Sequence, residues 1–403
     1  MDRYDVAVIG GGMVGAALAL ALSQTRQRVL LIEGTAPDSH THASFDERTT
    51  ALGNASRRIF EALGVWSALA PAAAAIRTIH VSDAGRFGVA RLQASEQGIE
   101  AFGYVIANRV LGAALWQALG SAKGVTLQVP ATPRTIEIGA EGVRIALAGA
   151  DGEERIETRL AIGADGAASV VRQAAGIEAR VEDYAQVALV SNVAADRPHQ
   201  GTAYERFTPA GPLAVLPLHD GSYTSVWTRS PAEAARALEL DATSYLRELQ
   251  AHFGWRAGRL VRAGTRAAYP LKLTRALAST GPRTALVGNA AQALHPVAGQ
   301  GFNLGLRDAA MLAEVLAQAS ADPGAPAVLA EYAAARSADR RGMIAFTDSL
   351  VRLFASPLPG MALARNLGLL LFDLTPPAKS ALARVSTGFG GKTPRLARGL
   401  ALR

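Results

Sequence analysis

Gly10, Gly12 and Gly15, followed by a carboxylate at Glu33, have the types and spacing that cradle a dinucleotide. Gly10 permits a tight turn, Gly12 lets the main chain approach a pyrophosphate, and Gly15 lets the next helix pack close to the preceding strand. The helix N-terminus then turns free N–H groups and a favourable dipole toward the phosphates. Glu33, about 20 residues beyond the glycines, can accept hydrogen bonds from a ribose diol. Three elements must position these residues: a β-branched strand at residues 4–9, a helix at 16–23 and a second strand at Val29–Ile32. Together they make a complete binding unit, although the motif alone does not separate FAD from NAD.

Other chemistries are narrowed by what the composition lacks. The 403 residues include no cysteine, which excludes disulfide scaffolds, thiolate metal sites, iron–sulfur clusters and redox-active dithiols. The seven histidines are scattered without metal-ligand spacing, so no metal is expected. The length suggests two domains, and 49% hydrophobic with 19% charged residues places the chain among globular proteins. The net charge of +7 comes from scattered residues without basic runs or interleaved aromatics. Nucleic acid is therefore not expected, and a weak attraction to an anionic membrane surface is the sharper reading. Residues 6–22 imitate a signal peptide, but Asp2 and Asp5 spoil a basic start and three glycines interrupt the run. No segment reaches the roughly 18–20 apolar residues of a membrane span. The expectation is a cytoplasmic protein with peripheral contact at the inner face of the cytoplasmic membrane.

Two further segments carry binding chemistry. Residues 159–172 read as a strand entering the Asp165-Gly166 turn, then a capping serine at Ser169 and a helix that includes Arg172. Residues 284–288 read as another strand, followed by Asn289, Gln292, His295, Pro296, Gly299, Gln300, Gly301 and Asn303 in a rigid loop, with a helix expected over 306–318. A helix N-terminus behind such a loop again aims oriented N–H groups at an anionic group. His295 reads more readily as a buried structural histidine than as a catalytic one.

Over nearly its whole length the sequence resembles the single-component aromatic hydroxylases of the p-hydroxybenzoate hydroxylase type. The glycine cradle, the Asp-Gly segment and the late segment match that family's FAD-binding pattern in order and spacing. Phe45-Asp46-Glu47-Arg48-Thr49-Thr50-Ala51-Leu52, the segment from Glu205 through Ala214 (Glu205-Arg206-Phe207-Thr208-Pro209-Ala210-Gly211-Pro212-Leu213-Ala214) and the run from Leu294 through Ala309 resemble its ubiquinone-biosynthetic branch. One departure stands out: Gly288-Asn289 and Gln292 replace the usual Gly-Asp and a later histidine, which removes a charge and leaves FAD affinity open.

The resemblance implies FAD as cofactor, NAD(P)H as electron donor visiting a shared site, and oxygen as co-substrate. The implied reaction converts 2-polyprenyl-6-methoxyphenol to the corresponding benzoquinol through a flavin C4a-hydroperoxide, so no catalytic side chain is identified. It also places Arg48 and Arg109 against the flavin and its phosphates, where plain surface charge is the alternative, and Asp165 and Asn289 at the ribityl and pyrophosphate region. Tyr204, Arg206, Phe207 and Pro217 become substrate candidates, against an ordinary role in a sheet core. Rival readings are a hydroxylase of a soluble aromatic or polyketide substrate, and a non-catalytic FAD subunit of a quinone-biosynthesis complex. Other quinone-biosynthesis proteins are implied as partners.

The implied fold class is α/β: a Rossmann-like, glutathione-reductase-type FAD domain from residues 1–75, 103–182 and 268–340, an inserted α+β substrate domain from 76–102 and 183–267, and a helical tail over 341–403. Independently, residues 77–83, 86–93, 186–193, 202–208, 212–218 and 222–229 read as short strands of an antiparallel substrate-covering sheet, and 231–252 as one helix. The tail is apolar and basic, broken by Pro357, Pro359, Pro376 and Pro377, and suits either packing on the flavin domain or contact with a membrane or partner.

Overall fold

The computed structural model describes residues 3–37, 46, 48–149, 152–319, 322–355 and 360–402. Phe45 and Glu47 of the quoted segment, and Pro357 and Pro359 of the tail, lie outside the described residues.

The apolar strand Arg3–Ile9 is buried on both faces from Val6 onward, as a β-branched run without alternation must be. It pairs in parallel with Val29–Ile32 on one side and with Gly152–Gly163 on the other. Val125–Gln128 and Thr284–Leu286 extend the parallel sheet outward at its two ends. The strand order reverses on either side of Arg3–Ile9, so a crevice opens beyond the carboxyl ends of these strands. The Gly10–Gly12 turn, Glu33, the Asp165 turn and Gly288 all leave the sheet at that edge. Helices Met13–Leu22, Asn108–Gly120 and Gln300–Gln318 bury their apolar sides on one face of the sheet. Ala131–Ile138 and Val143–Gly149 form an antiparallel hairpin whose apolar side chains cover the other.

The second large sheet is antiparallel apart from one parallel pair, Thr78–Asp83 with Thr202–Thr208. No hairpin joins those two strands, so their direction was not fixed by a turn. Its two longest members, Ala179–Ala195 and Leu260–Ala276, pair with each other and run through residues 182/183 and 267/268, where the chain was expected to pass between domains. Leu260–Ala276 was not anticipated, because its arginines and lysine interrupt the apolar alternation on which strand recognition rests.

Two local expectations are corrected, and one is met. The helix foreseen over 231–252 is two, Pro231–Glu239 and Ala242–Phe253, because Leu240 is extended and the Asp241 side chain accepts hydrogen bonds from the Thr243 and Ser244 N–H groups. The rigid loop at 299–303 is mostly helix: Gly299, left-handed at φ +60°, is the N-cap of Gln300–Gln318, which begins six residues earlier than Leu306. The described tail is helical, Met361–Asp373 and Pro376–Ser386 following the long helix Pro326–Ala355.

Candidate functional site

At the glycine turn, a Cβ on Gly15 would overlap the Gly10 carbonyl oxygen, and one on Gly10, whose φ is +102°, would lie 2.6 Å from the Ala164 carbonyl oxygen. Close helix–strand packing therefore requires both glycines. Gly12 is the N-cap of Met13–Leu22 and faces the crevice with Gly10. Glu33 does more than wait for a ligand: its carboxylate accepts from the Gly11 N–H at 2.5 Å and from the Thr35 N–H at 2.9 Å. Its remaining lone pairs can still accept from a diol. Trp116 Nε1 donates to the Gly11 carbonyl at 3.1 Å and locks the turn from behind.

The Asp165 turn lies beside it. One carboxylate oxygen, Oδ2, accepts from the Val170 and Val171 N–H groups, while Oδ1 is buried without a hydrogen-bond partner. A buried acceptor left open on a cavity wall suits a ligand hydroxyl. Arg172 is buried and donates to the Ala290 and Ala167 carbonyls at 3.0 and 2.7 Å, tying the Asp165 turn to the Gly288 turn.

The late segment divides into parts that face the cavity and parts that hold it. Asn289, Pro296, Gly299, Gln300, Gly301 and Asn303 line the cavity. The Asn303 amide is nevertheless fully employed by protein: Oδ1 accepts from Gly53 N–H and Ser56 Oγ, and Nδ2 donates to the Ala51 and Gly299 carbonyls. Gln300 is buried and donates to the Ser386 carbonyl. Gln292 does not line the cavity; its Nε2 donates to Asp308 at 2.6 Å. Asp308 also accepts from Arg336 and Arg340, and Arg307 pairs with Asp339, so a buried ionic cluster clamps Pro326–Ala355 onto Gln300–Gln318. Burial opposes the Asp308 charge, but Arg340 and Arg336 outweigh it and hold the carboxyl below its usual range. His295 is buried against Tyr184, accepts from the Val297 N–H through Nδ1, and is pushed down to about 4 by burial.

Arg48 lines the cavity, paired with Asp46 at 2.6 Å and stacked over the Tyr269 ring. Arg109 is exposed and off the cavity wall, although its N–H donates to the Asp46 carbonyl in the same corner.

One cavity of about 1270 Å³ runs from the glycine turn to the second sheet, larger than the roughly 300–1,000 Å³ of ordinary small-ligand pockets. On the sheet, strand alternation sorts the substrate candidates. Tyr204 borders the cavity while its ring packs edge-on to Phe253, and Arg206 donates to the His252 carbonyl, so both side chains reach toward the helices behind the sheet. Pro217 shares the phase of Leu213 and Val215, which pack on that same rear side. Phe207 faces the cavity and stacks on Phe354 of the long helix. Glu205, passed over in the sequence, shares the cavity face with Phe207. The residue is half-buried, its enclosed Oε1 has no partner among the described residues, and burial alone raises its carboxyl to about 7. The signal was available: residues two apart on a strand share a face.

A family model described as FAD binding domain matches residues 3–347. The "Ubiquinone hydroxylase UbiL" of Rhodospirillum rubrum is 40% identical over 405 residues, covering 99% of this chain and 93% of that protein. The "3-demethoxyubiquinol 3-hydroxylase" of Escherichia coli is 37% identical over 372 residues, covering 91% and 94%. The crystal structure of p-nitrophenol 4-monooxygenase from Pseudomonas putida superposes with a TM-score of 0.80 at 19% identity, covering 97% of this chain and all of that one, and so shares the fold.

Proposed function

The chain belongs to the FAD binding domain family and is an FAD-dependent monooxygenase; from that premise we propose that it hydroxylates the aromatic ring of a polyprenylated phenol in ubiquinone biosynthesis, with 2-polyprenyl-6-methoxyphenol the substrate to test first. The observation that carries the reading is the single cavity joining a dinucleotide cradle to an apolar sheet face. The names of two relatives, at 40% and 37% identity over most of both chains, support ubiquinone precursors over a polar acid.

The residues fit FAD. Gly10 and Gly12 bring main chain against the pyrophosphate, Glu33 accepts from the adenosine ribose, and the open Asp165 oxygen accepts from a hydroxyl of the ribityl and pyrophosphate region. Arg48 supplies positive charge on the cavity wall, with Arg109 outside it on the same corner, and Asn289 and Pro296 border the late segment. The first turn of Gln300–Gln318, with Gly299, Gly301 and Asn303, aims N–H groups at negative charge on the isoalloxazine. Bound FAD supplies the redox chemistry, taking electrons from NAD(P)H and delivering one oxygen atom of O2 to the ring. The protein holds the ring in line and excludes water with Ile79, Val81, Leu92, Leu216 and Phe207. One glycine fingerprint implies that the nicotinamide shares this site.

Among the described residues no helix is long and apolar enough to cross a membrane. Peripheral contact is part of the proposal: Met361–Asp373 lines the cavity with Met361, Ala364, Arg365, Gly368, Leu369 and Phe372, while Leu363, Leu367 and Leu371 are exposed. A prenyl tail can leave the cavity along such a helix into a lipid surface.

The test is genetic and chemical. Deleting the gene should accumulate a polyprenyl-methoxyphenol, restored to ubiquinone by the wild-type chain and not by Gly12→Val. An unchanged ubiquinone pool overturns the reading.

A further inference from the structure

We propose that Glu205 is the base that takes the phenol proton in this cavity, an inference that rests on the hydroxylase reading. The strand Thr202–Thr208 brings it there: Glu205 pairs in register with Ala214 on one side and Val81 on the other, and both neighbours line the same cavity. A carboxyl among Val81, Ala214, Leu216 and Phe207 has no structural task, since its enclosed Oε1 bonds to nothing. Placing a carboxylate in such surroundings is costly, and an uncompensated one facing a ligand cavity marks a working group.

Among the described residues, the groups around it leave it unpaired. Glu33, Arg48 and Asp165 lie at the dinucleotide end of the cavity. Arg365, from Met361–Asp373, is turned to Asp83 at 3.7 Å and to the Leu353 carbonyl at 3.0 Å. Tyr184 packs beside Phe207, and Arg206 points to the rear of the sheet. Burial is accordingly the one influence on the Glu205 carboxyl, and it lifts the group to about 7, where a general base works best near neutral pH. The step balances simply. The phenol O–H bond breaks, an O–H bond forms on the carboxylate, and the electron pair stays on the phenol oxygen, enriching the ring for attack by an electrophilic oxygen. The carboxyl returns its proton to solvent as product leaves.

Two measurements on the FAD-loaded enzyme test this, comparing wild type with Glu205→Gln after confirming equal FAD content. In the first, 2-methoxyphenol is titrated against the visible flavin spectrum from pH 5 to 9. Wild-type affinity should rise through about pH 7 as the carboxylate forms, and the variant's should not change with pH. In the second, kcat/KM for hydroxylation should show an ascending limb near pH 7 in wild type. In Glu205→Gln it should fall about 10²–10⁴-fold at neutral pH and recover toward the phenol's own alkaline ionisation. Alkaline rescue is a result that a merely structural role would not give. Identical pH profiles in both chains overturn the role of Glu205 and leave the hydroxylase reading intact. Glu205-dependent binding without any hydroxylated product supports Glu205 as the phenol's acceptor and sinks the hydroxylase reading.

Discussion

Single residues here divide into those that touch the cavity and those that make it possible. Gly15 is of the second kind: it lies off the cavity wall, yet its missing Cβ allows the helix to reach the Gly10 carbonyl. Gly15→Val should therefore retain helical content by circular dichroism while losing flavin absorbance on gel filtration. Glu205 also affects stability. Its folded carboxyl titrates near 7 instead of the usual 4.5, so the native state prefers the protonated form. Stability is then fully present below about 4.5 and lost as pH rises through about 7, by up to about 3 kcal/mol, less where water enters the cavity. Glu205→Gln should unfold at nearly the wild-type temperature at pH 4.5 and above it at pH 8. Equal melting temperatures at both pH values would contradict the burial of this carboxyl.

Among elements, Gln300–Gln318 links the site to the rest of the fold. Its first turn borders the cavity, Asn303 stitches it to the strand Thr49–Gly53, and Asp308 anchors it to Pro326–Ala355 through Arg336 and Arg340. Removing the acid takes one carboxylate from two buried guanidinium groups, leaving Arg336 to Asp339 and Arg340 to Tyr332 and the Leu286 carbonyl, so Asp308→Ala should cost about 3–5 kcal/mol in denaturant unfolding. Because the Asp308 carboxyl is held low, its contribution is present above the usual carboxylate range and is lost only as pH falls through the depressed value. Gln292→Ala should cost far less, since it removes one of three donors to that acid. The Gln292 departure thus acts on helix packing, which explains how the family pattern tolerates it away from the cavity wall.

At the scale of the molecule, a parallel sheet that holds a dinucleotide and a mostly antiparallel sheet that holds Phe207 and Glu205 enclose one cavity, with the Met361–Asp373 helix along it. That helix turns apolar side chains both inward and outward, Leu363 and Leu371 being 58% and 65% exposed. If its outer face meets a bilayer, Leu367→Glu with Leu371→Glu should weaken sedimentation with phosphatidylcholine–phosphatidylglycerol vesicles by more than about tenfold while flavin content is unchanged. Binding equal to wild type would remove this helix from the membrane contact.

The sequence by itself determined the dinucleotide unit, because its chemistry is local: Gly10, Gly12, Gly15 and Glu33 sit within one strand–helix–strand stretch, and their spacing is set by the geometry of a single turn. It also determined the strands of the second sheet wherever apolar alternation was clean, and failed at Leu260–Ala276, where basic residues broke the pattern. Only the tertiary structure decided which side of each strand meets the cavity. Arg206, Pro217 and the ring of Tyr204 turn to the rear, although Tyr204 also borders the cavity, and Glu205 turns to the front, because helices Pro231–Glu239 and Ala242–Phe253 cover one face of the sheet and leave the other to the ligand. A strand's period of two gives two faces of equal standing, and what covers each is fixed by contacts between residues far apart in the chain.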